Sequence, residues 1–365
     1  MNLNEWEFVD AYREKVVESL YDPISGQESS YRSDDGMLFD SVSSIMKLVS
    51  VAETSLGDVF KGGVLGVKED MVLTKAQQCI VAAVVIDYFK LERDMVLFKV
   101  NPYVRAVCEC YKSIRPSSPF NVEKTELPEC FNRLNDFVSA VRKQISSGGF
   151  RREMSAHVRS VNKNYAGLLE YIDALFARYA RLLVLRIDFS YGKGEFEIED
   201  FIKVHEREDV LNLVSEQIVR HRKQLLHHLK SKRPELGMVG YVWKLEYGKE
   251  KGHHYHMMFF LDGAKVRKDI VIAQLIGEHW NEVITQGKGV YYNCNGDKGR
   301  YKFCGVGMIN YHEAEKLSNL KEKVAIYLTK VDRYVSACMP GNRRTFGKGN
   351  APKMSEQSAG RPREY

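Results

Sequence analysis

The stretch "KGHHYHMMFFLDG", from Lys251 to Gly263, crowds His253, His254 and His256 together ahead of an apolar run. Read as a strand, it puts residues two apart on one face, about 7 Å from each other along the backbone. His254 and His256 share a face; Tyr255 and Met257 share the other, and His253 points away from the pair. Imidazoles at that spacing can reach one metal ion by choice of rotamer. Just upstream, "LEYGKEKG" turns an earlier strand back on this one. If Tyr247 lies beside His253, then Glu246 falls opposite His254 and Lys244 opposite His256, within side-chain reach. Two imidazoles and a carboxylate make a three-ligand site with positions left for water or substrate. A one-residue slip of the hairpin turns Glu246 to the wrong face. The competing reading is a solvated sheet face bearing ordinary polar histidines, because H-x-H is a short motif.

A second cluster could supply the chemistry that a metal alone does not. In "VAIYLTKVDRY", Tyr327 and Lys330 are three residues apart and Tyr327 and Tyr334 seven, near one face of a helix. A tyrosine hydroxyl, with a pKa of about 10, is a poor nucleophile near neutrality. A nearby cation favours the phenolate, and a metal can polarise the phosphate under attack. Lys330 could also hold that phosphate as a point charge. The competing reading is that these tyrosines pack half-buried with their hydroxyls wet. The seven cysteines include a C-x-C at Cys108 and Cys110 with no matching pair, and read as buried free thiols rather than a closed zinc site.

The elements that must position these residues occupy the second half of the chain. "LLVLRIDFSYG", "MVGYVWKLEYG", "HHYHMMFFLDG" and "RYKFCGVGMINY" read as strands. Between and after them, "EDVLNLVSEQIVRHRKQLLHHLKSKRPELG", "VRKDIVIAQLIGEHWNEVI" and "EAEKLSNLKEKVAIYLTKVDRYV" read as helices. The order β-α-β-β-α-β-α predicts an α+β fold, an antiparallel sheet with helices on one face. Upstream, "CFNRLNDFVSAVRKQI" is a helix stopped by "SSGG". In the helix that follows, Tyr165, Leu168, Leu169, Ile172 and Phe176 line one side. The first third is helical without chemical motifs, and "SIRPSSPFNVEKTELPEC" reads as a linker. We therefore expect a helical N-terminal region over 1–125, a domain over 126–340 and a basic tail over 341–365.

Composition bounds the function. The 365 residues, 44% hydrophobic and 28% charged, are enough for a substantial core. A net charge of +6 suits a local nucleic-acid footprint without establishing one. The charged start "MNLNEWEFVDAYREKVV" has no signal-like apolar core, and "CIVAAVVIDYF" is too short and too polar to span a bilayer. A cytoplasmic location is the expectation.

With those residues in view, "HYH" on a strand and "YLTK" on a later helix resemble the HUH endonucleases that start rolling-circle replication. The ordered segments "LLVLRIDFSYG", "LEYGKEKGHHYHMMFFLDG", "IGEHWNEVITQGKGVYYNCN", "YLTK", "RRTFGKG" and "GRPRE" resemble the inovirus-type Gp2 family of phage and prophage replication-initiator-like proteins, over roughly residues 130–365. The resemblance implies a HUH-type palm and a cytoplasmic role in the bacterial host. It implies His254 and His256 as ligands to Mg²⁺ or Mn²⁺, Tyr327 as the nucleophile that keeps a 5′-phosphate, and Lys330 as its partner. Glu246 as third ligand rests on the hairpin register. Asp188, in "RIDFS", sits on the strand where the superfamily's first conserved strand lies, or is simply a surface carboxylate. A second tyrosine four residues after the first is absent, since Val331 stands there; Tyr334 is no motif match. The implied partners are single-stranded DNA at a replication origin and host replication proteins. Arg343, Arg344 and Lys348, with the basic run "RHRKQLLHHLKSKR", would neutralise phosphates across the open sheet face, unless they are solvated surface charges. The alternative function is a prophage DNA-binding regulator or interaction protein that keeps the fold and makes no cut.

Overall fold

A computed structural model describes residues 17–21, 28–32, 34–61, 72–95, 98–192, 204–248, 252–300, 304–330, 335–337, 339 and 343–352. These divide into two compact units, one of residues 1–160 with 333–338, the other of 161–332 with 339–365.

The first unit contains a hairpin, β1 (Val17–Tyr21) with β2 (Glu28–Arg32), and the helices α1 (Asp34–Thr54), α2 (Lys75–Val84), α3 (Tyr88–Asp94), α4 (Pro102–Ile114) and α5 (Leu127–Ser146). A short strand β3 (Phe98–Val100) pairs with β9 (Val335–Ala337). Helix α5, which the sequence places after the boundary at residue 126, clusters with this unit. Its Phe131 stacks on Phe60, Asn135 hydrogen-bonds the backbone of Val59 and Phe60, and the Arg142 guanidinium donates to the Ala52 carbonyl at the end of α1. The "SSGG" segment ends α5 at Ser146, and the next helix starts within it. The Ser147 hydroxyl accepts the Phe150 N–H and starts α6 (Gly148–Arg178) at once.

The second unit is built on strands β4 (Arg181–Tyr191), β5 (Met238–Gly248), β6 (Gly252–Asp262), β7 (Gly289–Asn293), β8 (Gly307–Asn310) and β10 (Phe346–Lys348). They form one antiparallel sheet in the order β10-β5-β6-β4-β7, with β8 also pairing β4. Its helices are the C-terminal part of α6, then α7 (Val204–Ser231), α8 (Asp269–His279), α9 (Ala314–Ser318) and α10 (Ala325–Lys330), with a π-helical turn at Asn319–Val324 joining the last two. Strands β7 and β10 were not expected. The first has its edge alternation cut short by flanking glycine and asparagine. The second lies in the segment read as a tail, and Phe346 anchors it to the core.

Helices cover both faces of this sheet, not one. The face bearing Leu183, Leu185, Ile187 and Phe189 packs against Ile218, Leu225 and Leu229 of α7 and Ile272 and Ile276 of α8. The other, bearing Val184, Val242, Met258 and Phe260, packs against Leu168, Ile172 and Leu175 of α6 and against Leu320, Val324, Ala325 and Leu328. Each strand of the sheet's centre is apolar on both sides over this stretch, as burial between two helical layers requires. Midway along β4, neither β7 nor β8 pairs with it. Asn295 fills that gap: its Oδ1 accepts the Arg186 N–H, and its Nδ2 donates to the Val184 carbonyl and to Asp269. Among the described residues, no helix is long and apolar enough to cross a membrane.

Helix α6 approaches the sheet closely at Gly240, beside a register irregularity in β5. A Cβ there would stand 2.6 Å from the Tyr171 hydroxyl and 2.9 Å from Leu175 Cδ1. Gly240→Ala should destabilise the chain by about 1–3 kcal/mol through overpacking. An unchanged urea midpoint in the variant would contradict this account of the α6 contact.

Candidate metal centre

The β5–β6 hairpin pairs Tyr247 with His253, Glu246 with His254 and Lys244 with His256, the register anticipated from the turn. Paired residues share a face, so Glu246, His254 and His256 project together. They lie on the same face as Val242, Met258 and Phe260, at the end of the strands beyond the apolar contacts with α6 and α10. Burial of "MMFF" as Met257, Met258, Phe259 and Phe260 fixes the strand just below the site.

The cluster is compact. One ligand atom from each of Glu246, His254 and His256 lies within 4.8 Å of the others. Glu246 Oε2 is 3.2 Å from His256 Nε2 and 3.7 Å from His254 Nε2. The two rings stand edge to face, with centroids 5.0 Å apart. His254 Nδ1 lies 3.1 Å from the Gly252 carbonyl, and Gly252 has φ +60°, a left-handed conformation suited to glycine. The neighbouring strand adds a fourth group: Asp188 of β4 pairs with His256, and its Oδ1 lies 2.8 Å from His256 Nδ1. Arg186 Nε is 3.4 Å from the same oxygen. His253, on the opposite face, is buried with its ring against Tyr247.

These side chains are mostly hidden, His256 at 9% exposure and Glu246 at 12%. Burial works against every charge here, yet the charges sustain one another. Burial would lower the His256 pKa, but the Asp188 and Glu246 carboxylates outweigh it and raise the value to about 9. Burial would raise Glu246 and Asp188; the charge of His256, with His254 beside Glu246 and Arg186 beside Asp188, holds both below the ordinary carboxylate range. Burial pushes His253, on the opposite face, down to about 3.

The donor set suits a divalent cation. Glu246 Oε1 is buried without a hydrogen-bond partner among the described residues, a costly state that coordination would relieve. Two imidazoles with one carboxylate favour a transition ion, so Mn²⁺ fits more readily than Mg²⁺.

The other anticipated residues are placed less completely. Tyr327 and Lys330 lie on α10, and their side chains are outside the described residues, as is Tyr334 altogether. Tyr327 follows Val324 by three positions and precedes Leu328, both of which pack on the sheet face that carries the histidines. Lys348, on β10, holds its ammonium 4.9 Å above the Tyr171 ring on that same face. Arg344 is exposed, and Arg343 pairs with Glu216 of α7 at 3.0 Å. The basic run "RHRKQLLHHLKSKR" does not flank the site. It lies on α7, packed against the other face, where Arg222 stacks 3.7 Å over Trp243. Nor is the histidine face open along its length, since α6 and the helical run ending in α10 cover its apolar half. Asp188, ambiguous in the sequence, and Arg186 are the residues that β4 adds to this face, while Lys244, 1% exposed, lies opposite His256 as the hairpin register anticipated.

The second unit is thus an α+β domain, an open antiparallel sheet between two helical layers with a buried Glu–His–His cluster at one end. The chain belongs to the YagK/YfjJ C-terminal domain family, a prophage-associated family whose model matches residues 151–349. No curated protein and no solved structure matches the chain.

The charges of the cluster set opposite pH limbs in the metal-free protein. A histidine whose pKa is raised on folding stabilises below its unfolded value, and that stability is lost as pH rises. For His256 the loss runs from about 6.5 to about 9. A buried histidine with a lowered pKa does the reverse, so His253 costs stability as pH falls from about 6.5 toward 3. Urea midpoints in the presence of a chelator should decline on the alkaline side in the parent and lack that limb in His256→Gln. An alkaline limb of equal size in the variant would refute the assignment.

Proposed function

We propose that the chain is a metal-dependent enzyme that nicks and rejoins single-stranded DNA, a replication initiator of the HUH type related to the inovirus Gp2 proteins. One observation carries this reading: Glu246, His254 and His256 converge on the same sheet face against which the helix of Tyr327 packs. A metal ligand set and a helix-borne tyrosine are the two parts that a phosphotyrosine mechanism needs. The prophage association of the family agrees with a role in copying a mobile replicon.

Glu246, His254 and His256 would hold Mg²⁺ or Mn²⁺. When bound, the cation neutralises charge on the scissile phosphate. The Tyr327 hydroxyl attacks phosphorus in line as the P–O3′ bond breaks, giving a 5′-phosphotyrosine and a free 3′-hydroxyl. Lys330, one helical turn away, favours the phenolate and can accompany the phosphate. Attack by a later 3′-hydroxyl on the phosphotyrosine reverses the step and releases the tyrosine. The bond energy is conserved, so joining needs no nucleotide cofactor. Arg344 and Lys348 would contact DNA phosphates, with Arg343 recruited away from Glu216, and a host polymerase would extend the 3′-hydroxyl.

The test uses end-labelled single-stranded oligonucleotides tiling the replicon that encodes the chain, with Mn²⁺ present. Denaturing gels should show a protein–DNA adduct that is abolished in Tyr327→Phe and falls by at least ~100-fold in rate in His254→Ala, the scale of losing a transition-state electrostatic group. An adduct that survives Tyr327→Phe, or DNA binding with no adduct under any metal, would contradict the reading; the second result would mark a non-cutting binding protein. A separate titration addresses the basic residues. Replacing both Arg344 and Lys348 by Gln should flatten the log–log salt dependence of single-strand binding by about 0.7 per lost phosphate contact, and an unchanged slope would remove them from the interface.

A further inference from the structure

The ring nitrogens of the two histidines that face away from Glu246 are each held by a different device, and only one of them is local in the chain. For His254 it is the backbone, through the Gly252 carbonyl 3.1 Å from Nδ1. For His256 it is Asp188, contributed by the neighbouring strand, 2.8 Å from Nδ1. Both Nε2 atoms are left facing Glu246 Oε2, at 3.7 and 3.2 Å. We infer that Asp188 is a positioning residue that keeps the His256 proton on Nδ1, so that Nε2 presents its lone pair to the cation between Glu246 and His254. The inference rests on the metal-site reading above.

The geometry separates this role from that of a further ligand. Asp188 reaches the far side of the His256 ring from Glu246, and it is not among the groups whose ligand atoms cluster together. Its contact with Nδ1 is an ion pair by distance rather than an aligned hydrogen bond. Arg186 holds the carboxylate from behind, Nε to Oδ1 at 3.4 Å, and is itself largely buried at 11% exposure. The Arg186 N–H is tied to Asn295, which pins the backbone of β4 two residues from Asp188. A carboxylate behind a ligating imidazole fixes the tautomer and orients the ring, and its loss typically weakens metal binding by about 10–100-fold.

Two measurements on the full chain test this. Mn²⁺ affinity is read from free-ion electron paramagnetic resonance for the parent, Asp188→Ala and His254→Ala. The protonated nitrogen of His256 is read from ¹⁵N–¹H long-range spectra of the Mg²⁺-loaded parent, assigned with His256→Gln. The expected result is Mn²⁺ binding by the parent, about 10–100-fold weaker binding by Asp188→Ala, and a His256 proton on Nδ1. If Asp188→Ala binds Mn²⁺ within twofold of the parent, or the parent carries the proton on Nε2, the positioning role is overturned while the metal site stands. If the parent binds Mn²⁺ no better than His254→Ala, the metal-site reading fails and this inference with it. Should Asp188→Ala not fold, the spectrum of the parent decides the question alone.

Discussion

The antiparallel register of β6 against its two neighbours is the constraint on which everything at the candidate centre depends. On one side, pairing with β5 sets Glu246 across from His254 and Lys244 across from His256. On the other, pairing with β4 sets Asp188 across from His256. Shifting β6 by one residue would exchange His254 and His256 for His253 and Tyr255 on that face. It would also drive Met258 and Phe260 out of contact with α6. The apolar half of the face therefore enforces the polar half: burial of Val184, Val242, Met258 and Phe260 under the helices locks the register that gathers the ligands.

Such a centre is expensive for a fold to carry. Two carboxylates, an arginine and two imidazoles stand beside a hydrophobic core, each opposed by desolvation. Their mutual charges keep Glu246 and Asp188 ionised and His256 protonated when no cation is bound. A cation entering this cluster would replace the proton on His256 Nε2, which faces Glu246, while the Nδ1 proton stays against Asp188. Helices pack on the apolar part of the sheet from both sides, and the site lies at the end of the face beyond those contacts.

Much of this was legible in the sequence because it is local. The turn "YGKEKG" joins β5 to β6 directly, so strand alternation and a short connection were enough to align Glu246 with His254. The last helical run was also visible in its spacing, but not that Asn319–Val324 is π-helical or that Val335, read as its end, begins β9. What could not be read was long-range. Nothing near "RIDFS" says that Asp188 pairs with His256, because β4 and β6 are separated by α7 and β5. Amphipathic periodicity showed that α6 and α7 each bury a face, but not that they lie on opposite sides of the sheet, which removed the basic run of α7 from the site. At "SSGG" the end of α5 was legible, but not that Ser147 also caps the helix that follows. Asn295 left no signal, since a single asparagine in a polar stretch looks like any other turn residue.

The central claim is that Glu246, His254 and His256 form one divalent-cation site. Its most direct test is anomalous diffraction at the manganese edge from crystals of the full chain grown with Mn²⁺. The account predicts a dominant anomalous peak within coordination distance of Nε2 of His254, Nε2 of His256 and a carboxylate oxygen of Glu246. A manganese peak held by other residues, with His256 still bridging Glu246 and Asp188 at full occupancy, would contradict it.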